Sequence, residues 1–128
     1  MTVPRRPRYA VKEHFARTHH FDSRLEREGV SKSWVLRKPI PQTAGVRRLA
    51  IAVENHDLSF GDFEGEIARG EYGAGSIMLW DRGTYMPSRW GEDRITFELF
   101  GDRLAGTYTL SRFVRAEPDQ WLLFKHKD

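Results

Sequence analysis

Three of the five histidines of the chain lie in the stretch His14–Glu26, which reads HFARTHHFDSRLE. Imidazole and carboxylate groups are ligands for Mn, Fe, Co or Zn, and the chain has no cysteine that could supply a thiolate. Alternate side chains of a strand share a face and lie about 7 Å apart, so His20 and Asp22 can reach one ion. If the chain turns after His14, that residue can complete a set of two imidazoles and one carboxylate.

Arg24 continues the same alternation, and a guanidinium can hold two phosphate oxygens at once. His19 falls on the opposite face with Phe21 and Leu25, which predicts a packing or edge residue rather than a ligand. In an arbitrary sequence, His-x-Asp on a strand is often only a solvated polar face. The third histidine and the arginine favour a metal site with a phosphate clamp beside it.

A second polar group ends the apolar segment RLAIAVE, where Glu54 and His56 are predicted to share one face. His56 could contact phosphate or act as a general acid near neutral pH. The alternative is a partly buried histidine at a strand end. Lys38 and Arg48 could add positive charge around an anion, although surface cations are common.

The elements that would position these residues show the two-residue alternation of strands rather than helical periodicity. Eight strand-like segments are RYAVK, HHFDSRLERE, SKSWVLR, RLAIAVE, SIMLW, RITFELF, LAGTYTLSRFV and QWLLFKH. Hairpin turns are predicted at Glu28-Gly29, Arg82-Gly83 and Gly101-Asp102, a loop at 70–75, and an irregular connector at 39–46. This pattern predicts an all-β, mainly antiparallel fold with little helix. We expect a closed or nearly closed barrel of about eight strands, with a sandwich as the alternative.

The length of 128 residues fits one domain. We expect a flexible basic arm at residues 1–8, which contain PRRPR, and a single domain at residues 9–128; a frayed terminus would explain the arm equally well. The formal net charge of +3 is compatible with a polyanionic partner. Neither a signal peptide nor an apolar run long enough to span a bilayer is present, which predicts a cytoplasmic protein with no membrane partner.

An ordered set of motifs extends from the opening stretch through most of the chain. It comprises His14-x5-His20-x-Asp22-x-Arg24-Leu25-Glu26, GVxKSW, RLA, VExH, FEGxIxxGEYGAG and WDRG. Together these motifs strongly resemble the 3′-phosphoesterase domain of bacterial DNA ligase D and its stand-alone archaeal and bacterial relatives. The resemblance covers the chain from about Tyr9 to its end.

The resemblance implies a β-barrel that heals DNA 3′ ends during end joining. Such an enzyme removes a 3′-terminal ribonucleoside from a primer-template, then the remaining 3′-phosphate, in company with a DNA ligase and a repair polymerase. It implies a divalent metal, most typically Mn, with Co or Zn as alternatives, bound by His14, His20 and Asp22. It also implies that Arg24 and His56 engage the scissile phosphate. It further implies that Glu26, Lys38, Arg48 and Glu54 are supporting active-site positions.

Three positions depart from the family pattern. Lys12 stands where Gln is frequent, and its charge could assist phosphate binding. Phe60 stands where Tyr is frequent and cannot donate a hydroxyl hydrogen bond, which could change the balance between diesterase and monoesterase activity. Ser23 replaces a usual aromatic residue on the face opposite the metal ligands, where we expect only a packing effect.

Two other classes of protein are compatible with parts of the pattern. A non-haem iron oxygenase also uses His-x-Asp with a distant histidine, for which His126 is available, although the chain is short for that fold. A non-catalytic nucleic-acid-binding barrel could use the histidines only to contact phosphates.

Overall fold

A computed structural model of the chain describes residues 6–56, 65–67, 75–113 and 117–127, with the backbone alone at 56, 65–67 and 75. Over these ranges the regular structure is entirely β-strand, in agreement with the predicted all-β class. The nine strands are β1 (Arg8–Phe15), β2 (His20–Arg27), β3 (Val30–Leu36), β4 (Arg47–His56), β5 (Gly65–Ile67), β6 (Gly75–Trp90), β7 (Arg94–Gly101), β8 (Ala105–Arg112) and β9 (Gln120–Lys125).

Eight of the strands form a closed antiparallel barrel. Their order around the ring is β1-β2-β3-β4-β9-β8-β7-β6, and β6 pairs back onto β1. The short strand β5 pairs with the beginning of β6. Closure leaves the eight barrel strands without an open edge. The predicted barrel is confirmed, and the sandwich alternative is excluded.

Apolar side chains, most of them large, fill the barrel interior, and each of the eight strands of the ring contributes at least one. On β1, the interior residues Tyr9 and Val11 alternate with Lys12 and His14, which therefore lie on the opposite face. The interior residues are Tyr9, Val11, Phe21, Leu25, Trp34, Leu36, Ile40, Ala50, Tyr85, Ile95, Phe97, Leu99, Leu104, Tyr108, Leu110, Trp121 and Leu123. Ser23 lines a small void among them, consistent with the packing role expected for that position.

Two of the predicted hairpin turns are present. Glu28 and Gly29 connect β2 to β3 with φ angles of 53° and 84°, as a two-residue turn with positive φ at both positions requires. Gly101 ends β7, and residues 102–104 lead into β8. The connector at 39–46 likewise lacks regular structure, as predicted. Of the predicted loop at 70–75, residues 70–74 lie outside the described ranges.

The turn predicted at Arg82-Gly83 is wrong, because β6 continues through it for 16 residues. Gly83 pairs with Tyr9 on β1 and Gly101 on β7. A β-carbon at Gly83 would collide with the carbonyl oxygen of Phe100. The glycine therefore permits a close approach of two strands and does not reverse the chain.

At the start of the chain, β1 begins at Arg8, the last residue of the predicted basic arm. The Pro7 carbonyl accepts a hydrogen bond from the Tyr85 amide at 3.0 Å. Residues 1–5 of the predicted arm lie outside the described ranges. No helix in the described part of the chain is long and apolar enough to cross a membrane.

Candidate metal centre and phosphate-binding site

The β1–β2 hairpin brings two histidines of the opening stretch face to face. His14 and His20 are direct cross-strand partners at the end of the antiparallel ladder. The chain reverses between them through residues 16–19. The reversal that the sequence left open is therefore present, and the separation of six residues becomes a side-by-side contact.

The potential ligand atoms of His14, His20 and Asp22 converge. His14 Nδ1 lies 3.1 Å from His20 Nε2, and His20 Nε2 lies 3.7 Å from Asp22 Oδ2. One ligand atom from each of the three residues can be chosen so that the three atoms lie within 4.8 Å of one another. Two atoms bound about 2.1 Å from one ion at octahedral to tetrahedral angles would be roughly 3.0–3.4 Å apart. The cluster therefore has the composition and spacing of a divalent-metal site.

A backbone contact fixes the orientation of one of these imidazoles. His20 Nδ1 lies 2.9 Å from the Thr18 carbonyl oxygen, which can only accept a hydrogen bond. The proton of a neutral His20 ring is therefore held on Nδ1, and the lone pair of Nε2 points toward His14 and Asp22. Such outer contacts are the usual means of fixing the tautomer of a ligating histidine.

Two buried cations lie on the face of β1 and β2 that carries His14, His20 and Asp22, which we call the site face. Lys12 is 1% exposed and is the cross-strand partner of Asp22. Arg24 is 8% exposed and lies one alternation further along β2. Burial lowers the pKa of Arg24 by desolvation, and the nearby Asp22 carboxylate opposes this effect. Together the two cations add positive charge to the face that carries the three ligand-type side chains.

A further row of site-face positions lies beyond Arg24. Glu26 pairs with Ser31 on β3, and Ser31 pairs with His56 on β4. The Glu26 Oε1 atom accepts a hydrogen bond from the Arg8 amide at 3.0 Å. The Glu26 carbonyl accepts one from the Tyr85 hydroxyl at 2.5 Å. Burial raises the pKa of Tyr85 to about 12, so this donor stays protonated near neutral pH.

The strand segment that carries Glu54 and His56 alternates less regularly than its sequence predicts. The β3–β4 register shifts between Ser31 and Ser33, which interrupts the alternation from which Glu54 and His56 were predicted to share a face. The register places His56 opposite Ser31, beside the row that contains Glu26. Glu54 is exposed. The side chain of His56 and all of Phe60 lie outside the described part of the structure.

The two outlying cations are not brought into the histidine cluster. Arg48 lies two positions from the interior residue Ala50, and its Nε donates to the Pro39 carbonyl at 3.1 Å. Lys38 is exposed in the segment that follows β3. Sequence spacing alone could not place these side chains, because their positions depend on how the connector at 39–46 folds.

The remaining histidines lie apart from the cluster. His19 stacks on Phe15 and contacts Glu13 Oε2 at 2.8 Å, as expected of a residue that is not a ligand. His126 is 2.6 Å from Thr109 Oγ1 and stacks on Phe124. His126 therefore belongs to a different side of the barrel from the His-x-Asp pair, which disfavours the oxygenase hypothesis.

Sequence reasoning missed two arginines near the site face. Arg8 belongs to the predicted flexible arm, yet counting back by twos from His14 along β1 reaches it. Arg82 belongs to a predicted turn, but β6 aligns it with Ala10, the cross-strand partner of Arg24. The alternation of β1 could have revealed the first residue. The second depends on the pairing of β1 with β6, which has no local sequence signal.

Two histidines, an aspartate and a buried arginine lie together on one outer face of a closed β-barrel. This fold and this site define a class of protein, a candidate metal-dependent phosphoester-binding protein. Residues 12–112 match the family model described as the DNA Ligase D 3′-phosphoesterase domain. The chain belongs to this family.

Curated relatives agree with the family match. The chain is 42% identical over 124 residues to the multifunctional non-homologous end joining protein LigD of Mycobacterium bovis and 42% identical over 127 residues to that of Pseudomonas aeruginosa. It is 33% identical over 132 residues to LigD of Mycolicibacterium smegmatis. Each alignment covers 94% of this chain but only 15–17% of the relative. The chain therefore spans about a sixth of the length of these multifunctional proteins.

Proposed function

We propose that the protein is a metal-dependent 3′-phosphoesterase that heals DNA 3′ ends. It removes a 3′-terminal ribonucleoside to leave a 3′-phosphate, then removes that phosphate to leave a 3′-hydroxyl. The observation that carries the proposal is the convergence of His14, His20 and Asp22 beside the buried Arg24. Membership of the 3′-phosphoesterase family supports the same chemistry.

The residues of the cluster fit a divalent ion with nitrogen and oxygen ligands. His14 and His20 would each supply one imidazole nitrogen, and Asp22 a carboxylate oxygen, and we propose Mn ahead of Co or Zn. When bound, such an ion polarises a phosphate oxygen and lowers the pKa of coordinated water. With side-chain exposures of 21% and 18%, His20 and Asp22 leave the cluster accessible to a substrate.

The cations of the site face act on the phosphate. Arg24 binds two phosphoryl oxygens and stabilises the negative charge that they carry in the transition state. Lys12, buried beside Asp22, raises the positive potential of the same face. Lys38 and Arg48 would contact phosphates further from the reacting centre.

The hydrolysis adds one water across one ester bond. The water oxygen bonds to phosphorus, the bond from phosphorus to the leaving oxygen breaks, and the leaving oxygen takes up a proton. His56, whose backbone pairs with Ser31, is proposed to donate that proton or a hydrogen bond to the phosphate. Glu26 and Glu54 are proposed to support these groups.

The proposed product explains the proposed partners. A 3′-hydroxyl is the end that a repair polymerase extends and a DNA ligase seals, so both would act on the same primer-template in the cytoplasm. The basic residues of the 1–8 arm would hold the duplex through its phosphates. That interaction depends on salt and carries little sequence information.

The test is a labelled primer-template ending in ribonucleotides and a second one ending in a 3′-phosphate, each incubated with Mn²⁺. We expect the first to be shortened and then dephosphorylated, the second to be dephosphorylated, and both reactions to stop with EDTA. Binding to DNA without any change of the 3′ end would instead support a non-catalytic barrel.

An arginine variant separates phosphate binding from metal binding. Arg24→Ala should lower kcat for both reactions by about 100-fold, the cost of losing one transition-state hydrogen-bond donor. It should still bind Mn²⁺, as measured by electron paramagnetic resonance of the free ion. Loss of Mn²⁺ binding in this variant would show that Arg24 organises the ligands and does not bind the phosphate.

A further inference from the structure

A cleft of about 430 Å³ opens next to Arg24, between β1, β2 and β6. The polar residues that line it beyond Arg24 are Arg8, Glu26, Ser31, Arg82, Thr84 and Asp102. Its volume lies within the range of sites for small molecules.

The strand register connects this cleft to the metal centre. Ala10 on β1 pairs with Arg24 on β2 and with Arg82 on β6. The two arginines are therefore separated by two strand spacings, roughly 9.6 Å between their Cα atoms. The small side chain of Ala10 lies between them, so the two arginines flank the base of the cleft.

The chemistry of the lining is mixed. Arg8 and Arg82 donate hydrogen bonds, the carboxylates of Glu26 and Asp102 accept them, and Ser31 and Thr84 can do both. A groove that follows a phosphate backbone is mainly basic, because carboxylates repel phosphate. Ribose hydroxyls and base edges need both donors and acceptors, and carboxylates and arginines are the side chains that commonly bind them.

We propose that the cleft binds the ribonucleoside released by the diesterase reaction. A phosphate held between the metal centre and Arg24 has one ester oxygen on the side of the cleft, and the nucleoside attached to that oxygen enters it. Glu26 accepts a hydrogen bond from a ribose hydroxyl, and Arg82 donates to the base. This assignment depends on the proposed function, because it identifies the substrate group beside the phosphate.

The two proposed reactions supply an internal comparison. The terminal nucleoside is present in the diesterase substrate and absent from a 3′-phosphate end. Arg82→Ala should therefore lower kcat/KM for ribonucleoside removal about tenfold, mainly through KM, as expected for one lost hydrogen bond from a charged group. Removal of a 3′-phosphate should stay within about twofold of the wild-type rate. Thr84→Val, which keeps the side-chain shape, should change the reactions in the same direction by a smaller factor.

Arg94→Ala is the matched control, since it removes one exposed arginine from β7 and the same charge from the protein. It should leave both reactions unchanged. Equal losses in both reactions for Arg82→Ala would overturn the assignment and place the retained DNA strand in the cleft, and no loss in either would exclude a substrate role. If the wild-type protein performs neither reaction, the proposed function itself fails.

Discussion

Two aspartates show how differently this barrel uses carboxylates. Asp81 on β6 is 4% exposed and accepts hydrogen bonds from the Tyr9 hydroxyl at 2.5 Å, the Arg103 amide at 2.8 Å and the Leu104 amide at 3.0 Å. Asp22 lies on the opposite face of its sheet from the core, 3.7 Å from His20 Nε2 and opposite Lys12.

The two environments show which polar groups stabilise the fold. The donors to Asp81 belong to β1 and to the turn between β7 and β8, so this carboxylate joins three parts of the barrel, and two of its three donors are backbone amides. The neighbours of Asp22 are imidazole and ammonium groups, which are suited to a metal or a phosphate. A polar cluster whose donors are fixed inside the protein stabilises the fold, whereas a cluster that brings ligand atoms and cations together is a candidate site for a metal or a phosphate.

The most severe test of this comparison is the pair of substitutions Asp22→Asn and Asp81→Asn. Outer contacts to metal ligands are worth 10–100-fold in affinity or activity, so replacing a ligand should cost at least about 100-fold in activity. We expect this loss in Asp22→Asn with little change of melting temperature. The measurement is the primer-template assay beside thermal unfolding, and normal activity in Asp22→Asn would remove the residue from the metal site.

The converse substitution should act on stability. In Asp81→Asn the carboxamide nitrogen must face one of the donors from which the carboxylate accepts a hydrogen bond. Each buried polar group left unsatisfied costs about 1–3 kcal/mol. We expect a loss of about 3 kcal/mol in the free energy of unfolding, measured by urea denaturation. The folded fraction should retain its Mn²⁺ binding. A selective loss of metal binding at unchanged stability would contradict the division between the two aspartates.

The sequence predicted most of the barrel because most of its signals are local. Two-residue alternation identified the eight strands of the ring, and the turn at Glu28-Gly29 follows from positive φ angles that few residues tolerate. The signal failed at Gly83, because a glycine between strands and a glycine in a turn look the same in one sequence. Only the pairing of β6 with both β1 and β7 distinguishes them.

The candidate site was predictable to the extent that it lies on one hairpin. His14, His20, Asp22 and Arg24 belong to β1 and β2, where alternation and one reversal define their arrangement. Arg82 also lies near this face, but it belongs to β6, almost sixty positions after Arg24. The Nε atom of Arg48 instead donates a hydrogen bond to the Pro39 carbonyl. Both depend on long-range pairing or on an irregular connector, neither of which alternation encodes.

The mildest test concerns the hydroxyl that completes the Asp81 cluster. Burial, and then the hydrogen bond to Asp81, raise the pKa of Tyr9 well above its usual range, and burial raises those of Tyr85 and Tyr108 to about 12. The unfolded chain releases these protons near pH 10 while the folded barrel retains them, so the contribution of the three tyrosines to stability should be constant below pH 10 and fall above it. Each tyrosine contributes about 1.4 kcal/mol per pH unit to that fall.

Tyr9→Phe should therefore cost about 1.5–3 kcal/mol near neutral pH, through loss of a hydrogen bond to a charged group. It should also make the fall in stability above pH 10 less steep, because the folded and unfolded states then differ by one bound proton fewer. Tyr85→Phe, whose hydroxyl binds a neutral carbonyl, should show the same change of slope with a smaller loss at neutral pH. Urea titrations between pH 7 and 11 measure both quantities. If the pH dependence of stability is unchanged in Tyr9→Phe, the Tyr9 hydroxyl does not donate a persistent hydrogen bond to Asp81. The Asp81 cluster could then not be assigned a purely structural role.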